Sequence, residues 1–302
     1  MTKLIKSLSV AAIGAALFTT QLIIPADAAG GGDQVIKKVD WSFAGISGQY
    51  DREQLRRGFQ VYQEVCASCH GLERVAFRSL SQPGGPEFSE EGVKALVAEW
   101  PHQITDGPDD EGEMFERAPI PADPIKGPWT NEKEARAINN GAYPVDLSLI
   151  TRARTYEKDE AFWVQIPRMF KEMLTANQNK GTDYIYSLLV GYKDAPEDFE
   201  LGEGLNYNVS YPGKQIAMIQ PIPEGGAVEY APNAGAPNTM EQQAKDVTAF
   251  LAWAADPHLN TRKATGWQVM IYLLITTALL WIGKQRLWSR VKKQPAGTSI
   301  DA

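Results

Sequence analysis

Twenty consecutive residues without a charge, Ala264 to Gly283 (ATGWQVMIYLLITTALLWIG), stand between Lys263 and Lys284 near the end of this 302-residue chain. As a helix rising about 1.5 Å per residue, the stretch spans roughly 30 Å, the hydrocarbon thickness of a bilayer. Trp267 sits near one end, Trp281 and Trp288 around the other, where interfaces favour indoles. Lys284, Arg286, Arg290, Lys292 and Lys293 follow on one side only, which places the tail 284–302 in the cytoplasm. The opposite end agrees. Lys3 and Lys6, a largely apolar run from Leu8 to Ile24, and Ala26-Asp27-Ala28 read as a secretory signal peptide over 1–28. The expected plan is a periplasmic domain over 29–263, one transmembrane helix over 264–283 in a bacterial inner membrane, and a short cytoplasmic tail. A formal charge of −7 argues against a nucleic-acid partner.

An exported domain can form disulfides, so its only two cysteines become the next question. They lie in QVYQEVCASCHGLE, with Cys66 and Cys69 followed at once by His70. A redox dithiol normally opens a helix after a strand. Here the segment leading in is itself helical. Asp51 can cap it with Gln54 reaching back, and Leu55, Phe59, Tyr62, Cys66 and Cys69 recur at spacings of 4, 3, 4 and 3. Zinc wants four ligands, yet there is no second cysteine pair and only His102 and His258 remain. Cys-x-x-Cys-His needs no missing partner if the cofactor is one covalent haem c. Both thiols form thioethers, and His70 becomes an axial ligand of the iron.

The other axial ligand decides the chemistry: an open position favours ligand or oxygen reactions, methionine favours electron transfer. Met1 belongs to the signal segment and Met270 to the span. Met169 and Met173 have helical spacing and read as packing, Met240 opens a helix, and Met114 lies in an acidic stretch. Met218, in YPGKQIAMIQPIP, sits in a loop stiffened by Pro212, Pro221 and Pro223, which suits a weak thioether held in place. An apolar plug in a rigid loop is the competing reading. His102 and His258 are weaker rivals, expected at the surface or a junction.

Two further features suit such a pocket. The segment 239–255 reads as a helix capped by Thr239, with Val247, Phe250, Leu251 and Ala254 on one face. Gly58 would allow close approach of the two helices, facing Phe250 or Trp253. Haem propionates need cationic or hydroxyl donors. Arg136, Arg152 and Arg154, around a turn at Asn139-Asn140-Gly141, are the available source, and spacing does not choose among them.

Together RRGFQVYQEVCASCH, GEMFER, NEKEARAINNGAYPVDLSLITRAR, DYIYSLLVGY, YPGKQIAM and QQAKDVTAFLAWAADPHLNTRKATGW resemble the cytochrome c1 family, in order along nearly the whole mature chain. The resemblance implies a mainly α, class I cytochrome c-like haem domain with long loop insertions and one C-terminal transmembrane helix. It implies covalent attachment at Cys66 and Cys69, His70 and Met218 as the axial pair, Arg154 and Tyr184 at the propionates, and Asn139 and Pro144 lining the pocket. The implied role is one-electron relay from the Rieske iron–sulfur protein to a soluble cytochrome c, beside cytochrome b in a dimeric quinol–cytochrome c reductase, with no chemistry of its own. A stand-alone membrane-anchored carrier is the nearest alternative. A haem peroxidase would need an open sixth position and a distal acid or base. This chain departs from the pattern in an insertion over 155–182, in Val145 where a second proline is common, and in delaying the proline after Met218 to Pro221. With no spare cysteine, a disulfide cannot brace the insertion. The insertion separates the two propionate partners in sequence. Finally, Asp106, Asp109, Asp110, Glu111, Glu113 and Glu116 either steer a basic cytochrome c or form a solvated loop.

Overall fold

The computed structural model describes residues 34–156, 162–175 and 179–293. The expected signal peptide and the last part of the tail lie outside them. Among the described residues there are eight α-helices: α1 (Arg52–Glu64), α2 (Glu90–Ala98), α3 (Glu132–Ile138), α4 (Ile150–Ala153), α5 (Phe162–Thr175), α6 (Lys180–Leu189), α7 (Met240–Ala255) and α8 (Leu259–Lys293). Three small antiparallel pairs trim the loops: β1 (Leu72–Ala76) with β4 (Pro124–Ile125), β2 (Ile104–Asp106) with β3 (Phe115–Arg117), and β5 (Asn206–Tyr207) with β6 (Gln215–Ile216). The fold is mainly α, as expected.

Its centre is the crossing of α1 and α7. Asp51 caps α1 by accepting from the amides of Glu53 and Gln54, and the helix buries Leu55, Gly58, Phe59, Val61 and Tyr62. Thr239 caps α7, whose Val247, Phe250, Leu251 and Ala254 are buried as the pattern required. A Cβ on Gly58 would lie 2.1 Å from the Asp246 carbonyl oxygen and 2.8 Å from Phe250 Cβ. Only glycine allows that approach. Trp253 instead packs on Gly85, where a Cβ would come within 2.8 Å of its ring. The rings of Phe59 and Tyr62 lie 5.5 and 5.7 Å from Phe250. Gln54 does not reach back to the helix start. It donates to the buried Asp246 carboxylate at 3.0 Å, together with Arg57 at 2.8 Å, Gln242 at 2.8 Å and the Tyr230 hydroxyl at 3.1 Å. Four donors satisfy a charge that would otherwise be costly to bury.

On the flank of α7 lie α4 and α6. A Cβ on Gly181 would fall 1.8 Å from the Thr151 carbonyl oxygen and 2.8 Å from that of Arg154, so these helices meet backbone to backbone.

α8 begins earlier and ends later than 264–283, because its first turn belongs to the domain. Leu259 is buried, Asn260 accepts from the Tyr50 amide at 3.1 Å, and Lys263 Nζ donates to the carbonyls of Phe43, Gly45 and Gly48 at 2.7, 2.6 and 3.1 Å. Asp256 joins Arg152 at 2.8 Å and Arg262 at 2.6 Å. From Ala264 onward the helix stands almost wholly exposed. Within Leu259–Ser289 an 18-residue window reaches a mean hydropathy of 1.5 with none of that window buried, and α8 is the one described helix long and apolar enough to cross a membrane.

Candidate functional site

The two cysteines do not continue α1. The helix stops at Glu64, and Cys66–Ser68 forms a single 3-10 turn closed by the amides of Cys69 and His70, both donating to the Cys66 carbonyl at 3.1 and 2.8 Å. Both thiols are free. Burial, with Cys69 adding to it, pushes the Cys66 thiol up to about 12. A reactive dithiol needs the opposite shift.

Three carbonyls of this turn are held by side chains from outside it. The Tyr62 hydroxyl donates to the His70 carbonyl at 3.0 Å, Trp129 Nε1 to that of Cys69 at 2.8 Å, and His102 Nε2 to that of Ala67 at 3.1 Å. The sequence reading did not find Tyr62 or Trp129 in this role, and it left His102 as a weak rival ligand. His102 braces the turn instead.

His70 is set for coordination. Its Nδ1 lies 2.7 Å from the Val145 carbonyl oxygen. A carbonyl can only accept, so the proton sits on Nδ1 and Nε2 keeps its lone pair. Burial lowers the His70 pKa, against the opposing pull of Val145 and Asp146, and the ring stays neutral at pH 7. The segment carrying Val145 is pinned alongside: Leu147 donates to the Gly71 carbonyl at 2.9 Å, and the Glu73 and Arg74 amides donate to Asp146 and Ser148 at 2.7 and 3.0 Å. Pro144, half-buried, immediately precedes Val145. Asn139 ends α3, donating from Nδ2 to the Ala135 carbonyl at 2.7 Å, and Asn140 and Gly141 turn the chain through positive φ of 51° and 83°.

Met218 lies half-buried just after β6. Its carbonyl accepts from the Tyr192 hydroxyl at 3.0 Å and from Asn206 Nδ2 at 3.4 Å. Pro212 opens the turn before it, and Gly213 and Lys214 adopt left-handed φ of 73° and 60°. Of the other methionines, Met114 is exposed, and so is Met169, which the spacing had assigned to packing. His258 is exposed at the entry to α8.

The structure separates the three arginines. Arg152 pairs with Asp256, and Arg136 with Glu132 at 2.7 Å and the Gly141 carbonyl at 2.8 Å. Arg154 is exposed and, among the described residues, has no carboxylate within ion-pair distance. The glycine contact at Gly181 carries it to buried Tyr184 despite the insertion. The two interact electrostatically, Arg154 lowering a Tyr184 pKa that burial, first, and Tyr211 raise to about 12. Tyr211 starts the loop that leads to Met218.

These residues fit a haem. Among the described residues no three His, Cys, Asp or Glu side chains gather to hold a bare metal ion. A porphyrin brings four nitrogens of its own and asks the protein only for axial donors and attachment points. A neutral imidazole with a free Nε2, beside two thiols in one turn, supplies both on one side.

Comparison with known proteins then decides the family: the profile of the Cytochrome C1 family matches residues 41–291. The chain belongs to the cytochrome c1 family. It is 45% identical over 270 residues to cytochrome c1 of Blastochloris viridis, covering 89% of this chain and 92% of that one. It is 44% identical over 250 residues to a cytochrome b/c1 of Bradyrhizobium diazoefficiens, covering 82% of this chain and 35% of the relative. A mitochondrial cytochrome c1 heme protein of Solanum tuberosum is 40% identical over 254 residues, covering 84% of this chain and 85% of its own.

Proposed function

We propose that this chain is the haem-bearing electron-transfer subunit of a cytochrome bc1 complex. The observation that carries the reading is His70, kept neutral by burial and oriented by the Val145 carbonyl at 2.7 Å beside Cys66 and Cys69, in a chain of the cytochrome c1 family. The bc1 context is supported by the relative named cytochrome b/c1.

A haem supplies a one-electron iron couple when bound. The protein's part would be to hold it: Cys66 and Cys69 would attach one haem c through thioethers, and His70 Nε2 and the Met218 thioether would supply the iron's protein ligands. Tyr192 and Asn206 fix the Met218 backbone, which would spare a weak thioether ligand the ordering entropy of its own segment. Arg154 would offset the charge of the propionates and the Tyr184 hydroxyl would donate a hydrogen bond to them. Asn139 and Pro144 line the pocket. No substrate is bonded, so no general acid or base is required.

Residues 1–28 are the signal peptide, 29–263 the periplasmic domain, and 284–302 lie in the cytoplasm. α8 is the anchor, beside cytochrome b. In that role the chain would relay an electron from the Rieske protein to a soluble cytochrome c, within a dimeric complex. Of the acidic run, Asp106 is held by Arg117 at 2.6 Å, whereas Asp109, Asp110, Glu111, Glu113 and Glu116 stand exposed on the β2–β3 hairpin. That exposed tip suits long-range attraction of a basic cytochrome.

Mild detergent purification followed by redox spectra tests the assignment. Co-purifying b-type haem and an iron–sulfur centre are expected; a lone c-type spectrum means a stand-alone carrier, and high-spin iron means an enzyme. Neutralising Asp109, Asp110, Glu111 and Glu113 should slow reduction of a basic cytochrome c at low salt. Unchanged rates across ionic strength overturn the docking role.

A further inference from the structure

The insertion over 155–182 supplies none of the proposed haem ligands, yet its helix α5 leaves large apolar side chains in the open. Trp163 is 76% exposed, Met169 59%, Phe170 51% and Ile166 37%. At about 100° per residue these four and Pro167 share one arc of roughly 160°, with Gln165, Arg168, Lys171 and Glu172 on the other side. A 14-residue helix interrupted by Pro167 is marginal in water by itself. Something must cover that face.

The position of the insertion identifies what does. Just before it, Arg152 of α4 reaches Asp256, which Arg262 in the first turn of α8 also binds. Just after it, Asn179 and Thr182 line a cleft with Arg262 and Lys263. Glu172 ties α5 to Lys180, the first residue of α6, at 3.3 Å. Both ends of the insertion are therefore held at the depth of the first turn of α8, one residue before the uncharged span begins. We propose that α5 lies along the bilayer interface beside the anchor, its Trp163–Ile166–Phe170 face in the outer acyl layer and Arg168 and Lys171 toward the lipid phosphates. The inference rests on α8 crossing the membrane. An indole at one end and cations on the far arc are the composition such interfacial helices use. The insertion thereby adds a second membrane contact that restrains rotation of the domain about a single helix.

Nitroxide accessibility on the full haem-loaded chain in vesicles of phosphatidylcholine and phosphatidylglycerol tests this. Labels are placed at Trp163→Cys and Phe170→Cys on the apolar arc, Val164→Cys on the opposite arc, and Leu274→Cys within α8. The unsubstituted chain gives the background from Cys66 and Cys69. Collision with oxygen is expected to exceed collision with a neutral nickel chelate at Trp163→Cys, Phe170→Cys and Leu274→Cys, and to fall below it at Val164→Cys. Nickel dominating at all three α5 positions, with Leu274→Cys still oxygen-rich, overturns the proposal by placing α5 in water. Exclusion of both reagents at Trp163→Cys and Phe170→Cys overturns it in favour of a protein partner. Nickel dominating at Leu274→Cys fails the anchor itself, and the proposal with it. All four side chains are exposed, so none of these variants removes packing from the domain.

Discussion

The segments carrying His70 and Met218 are built in opposite ways. The Cys66–His70 turn grows directly out of the buried α1–α7 crossing, and side chains from three other places hold its carbonyls. Met218 sits after a two-residue strand in a loop of prolines and left-handed residues, with two hydrogen bonds to its carbonyl. The imidazole is mounted on the core and the thioether on a stiffened loop. If both hold the iron as proposed, the core mount would lose its ligand only when the domain unfolds, whereas the loop mount could release its ligand while the domain stays folded.

Two glycines give the sharpest contrast. Gly58→Ala should cost about 3 kcal/mol or more in thermal or denaturant unfolding, because the new Cβ meets backbone at 2.1 Å. Gly213→Ala, with nothing within 4 Å, should cost about 1 kcal/mol through its positive φ alone. Equal costs would erase the distinction between the two mounts.

Met218→Leu should next abolish the low-spin signature and lower the potential markedly, while unfolding shifts by less than about 1.5 kcal/mol for a swap of similar volume. A low-spin spectrum that survives removes Met218 from the iron. His102→Ala should remove one brace from the core-mounted turn, costing about 1 kcal/mol and leaving the iron spectrum as it was. Ligand-like spectral change would restore His102 as a rival. Smallest in stability is Tyr192→Phe, at or below about 1 kcal/mol. Its methionine–iron charge-transfer band should fade on warming well before the domain melts. Simultaneous loss of band and fold would show that the loop has no independent mobility.

Much of this was legible beforehand for a local reason. The cap at Asp51, the helix face of α7 and the Cys-Ala-Ser-Cys-His turn are set by residues within a few positions of each other, and such patterns survive reading in one dimension. Gly58 against Phe250 was also foreseeable, since a helix glycine between apolar residues marks a close crossing. Two readings failed where contacts are long-range. Gln54 was expected to close its own helix start, and a buried carboxylate 192 residues away offered a stronger partner. Met169 has helical spacing, yet no described element buries it.

Sequence alone determined the Cys-Ala-Ser-Cys-His motif, the helices that lead into and pack beside it and the uncharged length of the candidate membrane span, because each depends on local spacing and hydrophobicity. Tertiary structure decided which of Arg136, Arg152 and Arg154 has no carboxylate partner among the described residues, that His102 braces the turn, and that Arg154 and Tyr184 interact electrostatically across the insertion. Those outcomes turn on backbone contact at Gly181 and on competition among distant hydrogen-bond partners, and neither leaves a periodic trace along the chain.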